Sequence, residues 1–172
     1  TFTDFSSWST VKKPLSTGSP NDAGVSISVE PTGAEITLPA GTQHFEAWAE
    51  SPAVPAAAEL YYRAAFIASS VRGRSGDLEP TVRAGFASSA FVFSADKTLA
   101  GGSSRATLST PKEFDVWMVS PTADPSSPQY TEPMRLRIGT WVTDAYSGWP
   151  FFRYLSGTIR CTAVRTEAFM PF

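Results

Sequence analysis

From residue 134 to residue 142 the side chains alternate, with Met134, Leu136, Ile138, Thr140 and Val142 on one side and Arg135, Arg137, Gly139 and Trp141 on the other. A repeat of two is that of a half-buried strand, and no helix keeps those residues on one face. The pattern recurs in Val25-Ser26-Ile27-Ser28-Val29 and in Ala34-Glu35-Ile36-Thr37-Leu38, with Glu30-Pro31-Thr32-Gly33 between them as a hairpin turn. Over residues 44–50, Phe45, Ala47 and Ala49 face one way and His44, Glu46, Trp48 and Glu50 the other. Further strands are expected at 59–71, 81–86, 89–94, 114–119 and 151–165, the last returning from 134–142 through a Ser147-Gly148-Trp149-Pro150 turn. The expectation is an all-β chain, a single antiparallel β-sandwich of jelly-roll or Greek-key type with eight or nine strands.

The intervening segments agree. Residues 120–133 hold Pro121, Pro125, Pro128 and Pro133, a density that neither a helix nor a central strand tolerates, so a long exposed loop is expected. Residues 72–80 and 97–104, with Gly73, Gly76, Gly101 and Gly102, read as a polar loop and a flexible turn. Residues 1–23 read as a Ser/Thr/Pro-rich arm, and 24–172 as the β-sandwich domain. The arm carries Phe2, Phe5 and Trp8, so it is expected to dock on the domain or on a neighbour. The chain begins at Thr1, and a domain excised from a longer polypeptide, or a processed product, is expected.

Chemistry-bearing side chains are scarce. One histidine and one cysteine exclude zinc sites built mainly from those residues, and they exclude an internal disulfide. His44 and Glu46 form half of a zinc deaminase signature whose other half would need two cysteines, and only Cys161 is present. Gly73-Arg74-Ser75-Gly76-Asp77 departs from a nucleophile elbow at its last position and reads as a turn. No phosphate-cradling glycine motif occurs. No enzyme activity and no cofactor are expected, with Asp22, Asp96 and Asp124 the candidates for a structural calcium. No apolar run is long enough to span a bilayer as a helix, so no membrane insertion is expected.

The net charge of −2 conceals segregation, with two lysines against seven carboxylates over residues 1–59 and six basic against three acidic side chains over 60–110. Five arginines face three carboxylates over 131–172. An arginine face at Arg135 and Arg137, with Arg153, Arg160 and Arg165 on the expected partner strand, suits a sulfated glycan or an acidic partner, or else pairs with carboxylates of its own sheet. Duplex nucleic acid is not an expected partner, because the overall charge favours little counterion release. Tyr146 and Trp149, with Trp141, surround one turn and are candidates for receptor or glycan contact, as is Arg74 in its own loop.

The blocks Arg135-Leu136-Arg137-Ile138-Gly139-Thr140-Trp141 and Phe152-Arg153-Tyr154-Leu155-Ser156-Gly157-Thr158-Ile159-Arg160-Cys161-Thr162-Ala163-Val164 resemble the closing strands of coat proteins from small non-enveloped RNA viruses. Such proteins usually carry an arginine-rich arm, and residues 1–23 are not one. The resemblance therefore implies a protruding or spike domain of the kind found in nodavirus-like insect viruses. That would be a dimer or trimer at the virion surface, meeting a host receptor or surface glycan. The alternative is a secreted carbohydrate-binding β-sandwich module.

Overall fold

The computed structural model describes residues 4–14, 23–42, 44–53, 61–74, 80, 82–87, 97–100, 110–119, 135–142 and 155–169. Among them are ten strands: β1 (Ser9–Pro14), β2 (Ser26–Glu30), β3 (Gly33–Thr42), β4 (Phe45–Glu50), β5 (Tyr61–Arg72), β6 (Val82–Ala87), β7 (Lys97–Ala100), β8 (Lys112–Val119), β9 (Arg135–Val142) and β10 (Leu155–Phe169). They form two antiparallel sheets, β1-β4-β9-β6-β7 and β2-β3-β10-β5-β8.

Without β1 and β2, the remaining eight strands pair β3 with β10, β4 with β9, β5 with β8 and β6 with β7. One long hairpin rolled so that successive pairs fall in alternate sheets gives this arrangement, which is the jelly roll. The β-sandwich expected from the alternation is thus the observed fold. The expected pairing of residues 134–142 with the strand that follows is not observed: β9 lies between β4 and β6, and β10 between β3 and β5. Alternation reports which face of a strand is buried and is silent about its neighbour.

Two of the ten strands lie where strands are not expected from the sequence. β1 belongs to the stretch read as an arm, and β7 to the stretch read as a flexible turn. β1 has no buried stripe to announce it, because it is an edge strand whose Lys12, Lys13 and Pro14 are exposed. Lysine and proline at an edge also discourage further strand addition. The segments 89–94, 120–134 and 143–154, with the expected strand, proline loop and aromatic turn, lie outside the described residues.

The β2–β3 hairpin forms as the sequence suggests, with Glu30 opposite Gly33 across Pro31 and Thr32. Inside the sandwich, Phe45, Phe66 and Phe86 meet Ile36, Leu38, Leu136, Ile138 and Ile159 among small residues such as Ala47, Ala64, Ala68 and Ala84. Alternating large and small side chains lets the two inner faces interdigitate at interior density. Phe5 and Trp8 join this core, their ring centroids 4.6 Å apart, and the Phe5 amide donates to the Pro31 carbonyl at 3.2 Å. Phe5 and Trp8 of the expected arm are therefore structural, and Phe2 lies outside the described residues.

Cys161 is also a core residue, and burial pushes its thiol up to about 12. The thiolate is the reactive form, so the native protein should resist thiol reagents at neutral pH. Labelling is expected to proceed at the rate at which the sandwich opens, and to accelerate in urea in step with unfolding followed by fluorescence. Fast stoichiometric labelling of native protein would contradict this packing.

Candidate functional site

A sheet with one face on the core normally turns a polar, wetted face outward. β4 departs from this, since its residues are buried without interruption from Phe45 to Ala49. Phe45, Ala47 and Ala49 point into the core, whereas Glu46 and Trp48 lie on the outer face and are only 7% and 0% exposed.

An enclosed carboxylate needs partners. Glu46 accepts a hydrogen bond from the indole Nε1 of Trp48 at 3.4 Å, and the Lys13 ammonium stands 3.3 Å from the same oxygen. The pairing of β1 with β4 creates this contact by placing Lys13 opposite Glu46. Farther along β4, Glu50 accepts a 2.6 Å hydrogen bond from Arg137 Nε, which stands directly opposite on β9. Arg135 Nε lies 3.7 Å from the other Glu50 oxygen, and Arg135 Nη1 donates to the Ser51 carbonyl at 3.0 Å. Ser51 extends the strand contact, its amide donating to the Leu136 carbonyl and its hydroxyl accepting from the Leu136 amide, each at 2.9 Å.

Gly139 stands opposite both Trp48 and Arg83, between the two. A Cβ there would fall 2.1 Å from the Ala47 carbonyl oxygen, so β9 can run this close to β4 only with glycine. The next residue, Thr140, shares the inward face with Leu136 and Ile138, and its buried Oγ1 has no hydrogen-bond partner among the described residues. A buried orphan hydroxyl costs about 1–3 kcal/mol. Thr140→Val keeps the shape and removes the polar atom, so it is expected to raise the stability to urea by about 1 kcal/mol. A loss of stability would reveal a partner for that hydroxyl.

Of the residues singled out from the sequence, Arg135 and Arg137 come together on this face, and both engage Glu50. Pairing with a carboxylate of the same sheet is therefore the state observed. Trp141 stands opposite Glu46 in the β4–β9 register. Arg74 is exposed in the bend after β5, which belongs to the other sheet. Tyr146 and Trp149 lie outside the described residues, as do Asp22, Asp96 and Asp124. Lys13, Glu46, Trp48 and Glu50 are the residues that sequence reasoning passed over. The alternation of 44–50 did place Glu46, Trp48 and Glu50 on one face, but no signal joined them to Lys13 or β9.

The other sheet has a different outer surface. Arg63 binds Asp115 through two hydrogen bonds of 3.0 and 3.3 Å, and Arg160 binds Glu35. A depression of about 190 Å³ is lined by Arg63, Ala65, Glu113, Ala163 and Arg165. It forms where β10 bulges between Thr162 and Arg165, with Ala163 at φ 52°. Among the described residues no group of three or more His, Cys, Asp or Glu side chains could hold a metal ion.

No family description and no curated protein matches the chain. Solved structures do. A Stig cyclase from Fischerella sp. TAU, in complex with (3Z)-3-(1-methyl-2-pyrrolidinylidene)-3H-indole, superposes with a TM-score of 0.56 at 11% identity, covering 100% of this chain and 92% of that one. Another cyclase from the same source gives 0.53 at 15% identity over 81% of this chain. The present chain spans 64% of that cyclase. The N-terminal cellulose-binding domain of Cellulomonas fimi β-1,4-glucanase C gives 0.49 at 14% identity, covering 95% of this chain and 90% of that domain. At such identities the cyclase likeness establishes a shared β-sandwich fold and nothing of the chemistry.

Proposed function

We propose that this β-sandwich is a glycan-binding module, without catalysis of its own, whose binding face is the outer surface of the β1-β4-β9-β6-β7 sheet. The observation that carries the reading is the row across β1, β4 and β9, in which Lys13, Glu46, Glu50, Arg137 and Arg135 are held by mutual hydrogen bonds and ion pairs around the enclosed Trp48. Sugar hydroxyls both donate and accept, so a face that recognises them needs donors and acceptors fixed in advance. Groups locked on paired strands meet that need with little side-chain entropy left to lose on binding.

The same geometry argues against hydrolysis. Glu46 and Glu50 are four residues apart on one strand, which separates their backbones by about 13 Å. Paired glycosidase carboxylates stand about 5–9.5 Å apart, and here each carboxylate is already committed to a cation.

Affinity electrophoresis through gels containing neutral, uronate-bearing or sulfated polysaccharides tests the reading. Retardation by at least one class is expected, with the polysaccharide recovered uncleaved. Chemical-shift changes on titration should concentrate at residues 9–13, 46–50 and 135–139. Absence of retardation by every class overturns the proposal. If light scattering then shows a stable dimer or trimer, a projecting capsid domain becomes the better reading.

A further inference from the structure

The ion pairs of the two outer faces differ in which partner meets water. On the β2-β3-β10-β5-β8 sheet the carboxylates are well exposed, Asp115 at 43% and Glu35 at 40%, beside Arg63 at 37% and Arg160 at 69%. That surface presents both signs. On the proposed binding face the carboxylate side chains are submerged, Glu46 and Glu50 alike, while the Lys13 side chain is 52% and that of Arg135 41% exposed above them. What an incoming molecule meets at these described positions is Lys13 and Arg135, since Arg137, at 17%, is enclosed together with Glu50.

The placement is directional as well. Lys13 stands opposite Glu46 on β1, at one end of the row. Arg135 lies two residues beyond the Arg137–Glu50 pair, at the other end. Six residues of strand separate the two levels, or about 20 Å along the sheet. Each submerged carboxylate orients its cation and lowers the local excess of positive charge, so the exposed N–H groups are fixed without attracting anions at large. The chain's net charge of −2 acts in the same sense, since long-range attraction of polyanions is absent.

From this juxtaposition of exposed Lys13 and Arg135 over the buried Glu46 and the partly buried Glu50, we propose that the ligand is an acidic glycan, one bearing carboxylate or sulfate groups. The inference rests on the glycan-binding reading and names its substrate class. Lys13 bonds one acidic group and Arg135 another farther along the polymer.

The test compares a polyuronate, a sulfated glycan and an uncharged β-glucan by calorimetry and affinity electrophoresis. Proteins used are the native chain, Lys13→Gln, Arg135→Gln, the double variant and Arg160→Gln, each with its melting curve. The native chain should bind the polyuronate, the sulfated glycan or both, and which of them decides between carboxylate and sulfate. The double variant should bind about tenfold more weakly at a temperature at which its melting curve shows it still folded. Arg160→Gln, on the opposite sheet, should bind as the native chain does. If the double variant proves unstable, added salt provides a second measurement on the native chain, and affinity should fall between about 0.05 and about 0.5 M. Binding of the uncharged glucan alone overturns the acidic-ligand inference and leaves the glycan-binding reading standing. Binding of all polyanions alike, single-stranded DNA included, or equal weakening by Arg160→Gln, also overturns the inference. Binding of none of the three glycans overturns both.

Discussion

Alanine at position 157 is expected to remove a large part of the stability of the sandwich. Gly157 adopts φ 140°, and a Cβ built there falls 1.9 Å from the Val71 carbonyl oxygen. The obstruction is backbone on a central pairing, because β10 bulges between Leu155 and Gly157 while joined to β3 on one side and β5 on the other. Relief would require separating β10 from β5, where the Gly73 amide also bonds the Ser156 carbonyl at 3.0 Å. Strain of this kind is expected to cost more than about 4 kcal/mol, against a total stability on the order of 10 kcal/mol. Circular dichroism and urea titration of Gly157→Ala provide the measurement. A midpoint like that of the native chain would show that the strands part more easily than this packing implies.

Phe5→Ala is expected to cost about 3–4 kcal/mol, as for other buried phenylalanines. Phe5 is 1% exposed, touches the Trp8 ring and ties the chain to Pro31 through its amide. It thereby fixes the start of β1, so the variant should also lose hydrogen-exchange protection over Ser9–Pro14 before the remaining sheet does. An effect below about 1 kcal/mol would return these residues to the status of a loosely attached arm.

These two positions mark where the sequence could and could not be read. Phe5 and Trp8 drew notice as unusual in a polar stretch, and composition gave no way to choose between the domain's own core and a neighbour. The alternating residues of β2, β3, β4 and β9 were legible because each has one face on the core, and period-two patterning records that fact. Pairing across the sheets was not legible, since β9 finds its partners about fifty residues back along the chain at β6, and farther back still at β4. The candidate site shared that difficulty. Lys13, Glu46 and Arg137 become neighbours only once three distant strands are laid side by side.

The rolled-hairpin topology has a consequence for how the protein comes into being. β10 is the last of the described strands to be synthesised, yet it occupies the middle of its sheet. Until it emerges, β3 and β5 have no shared partner, and the chain presents two open edges and half of an apolar core to its surroundings. Loops closed by the β3–β10 and β4–β9 pairings are long, and topologies dominated by such distant pairings fold in milliseconds to seconds at best. Completion of this sandwich therefore waits on the synthesis of β10, and aggregation of the nascent chain competes with it for as long as β10 is missing.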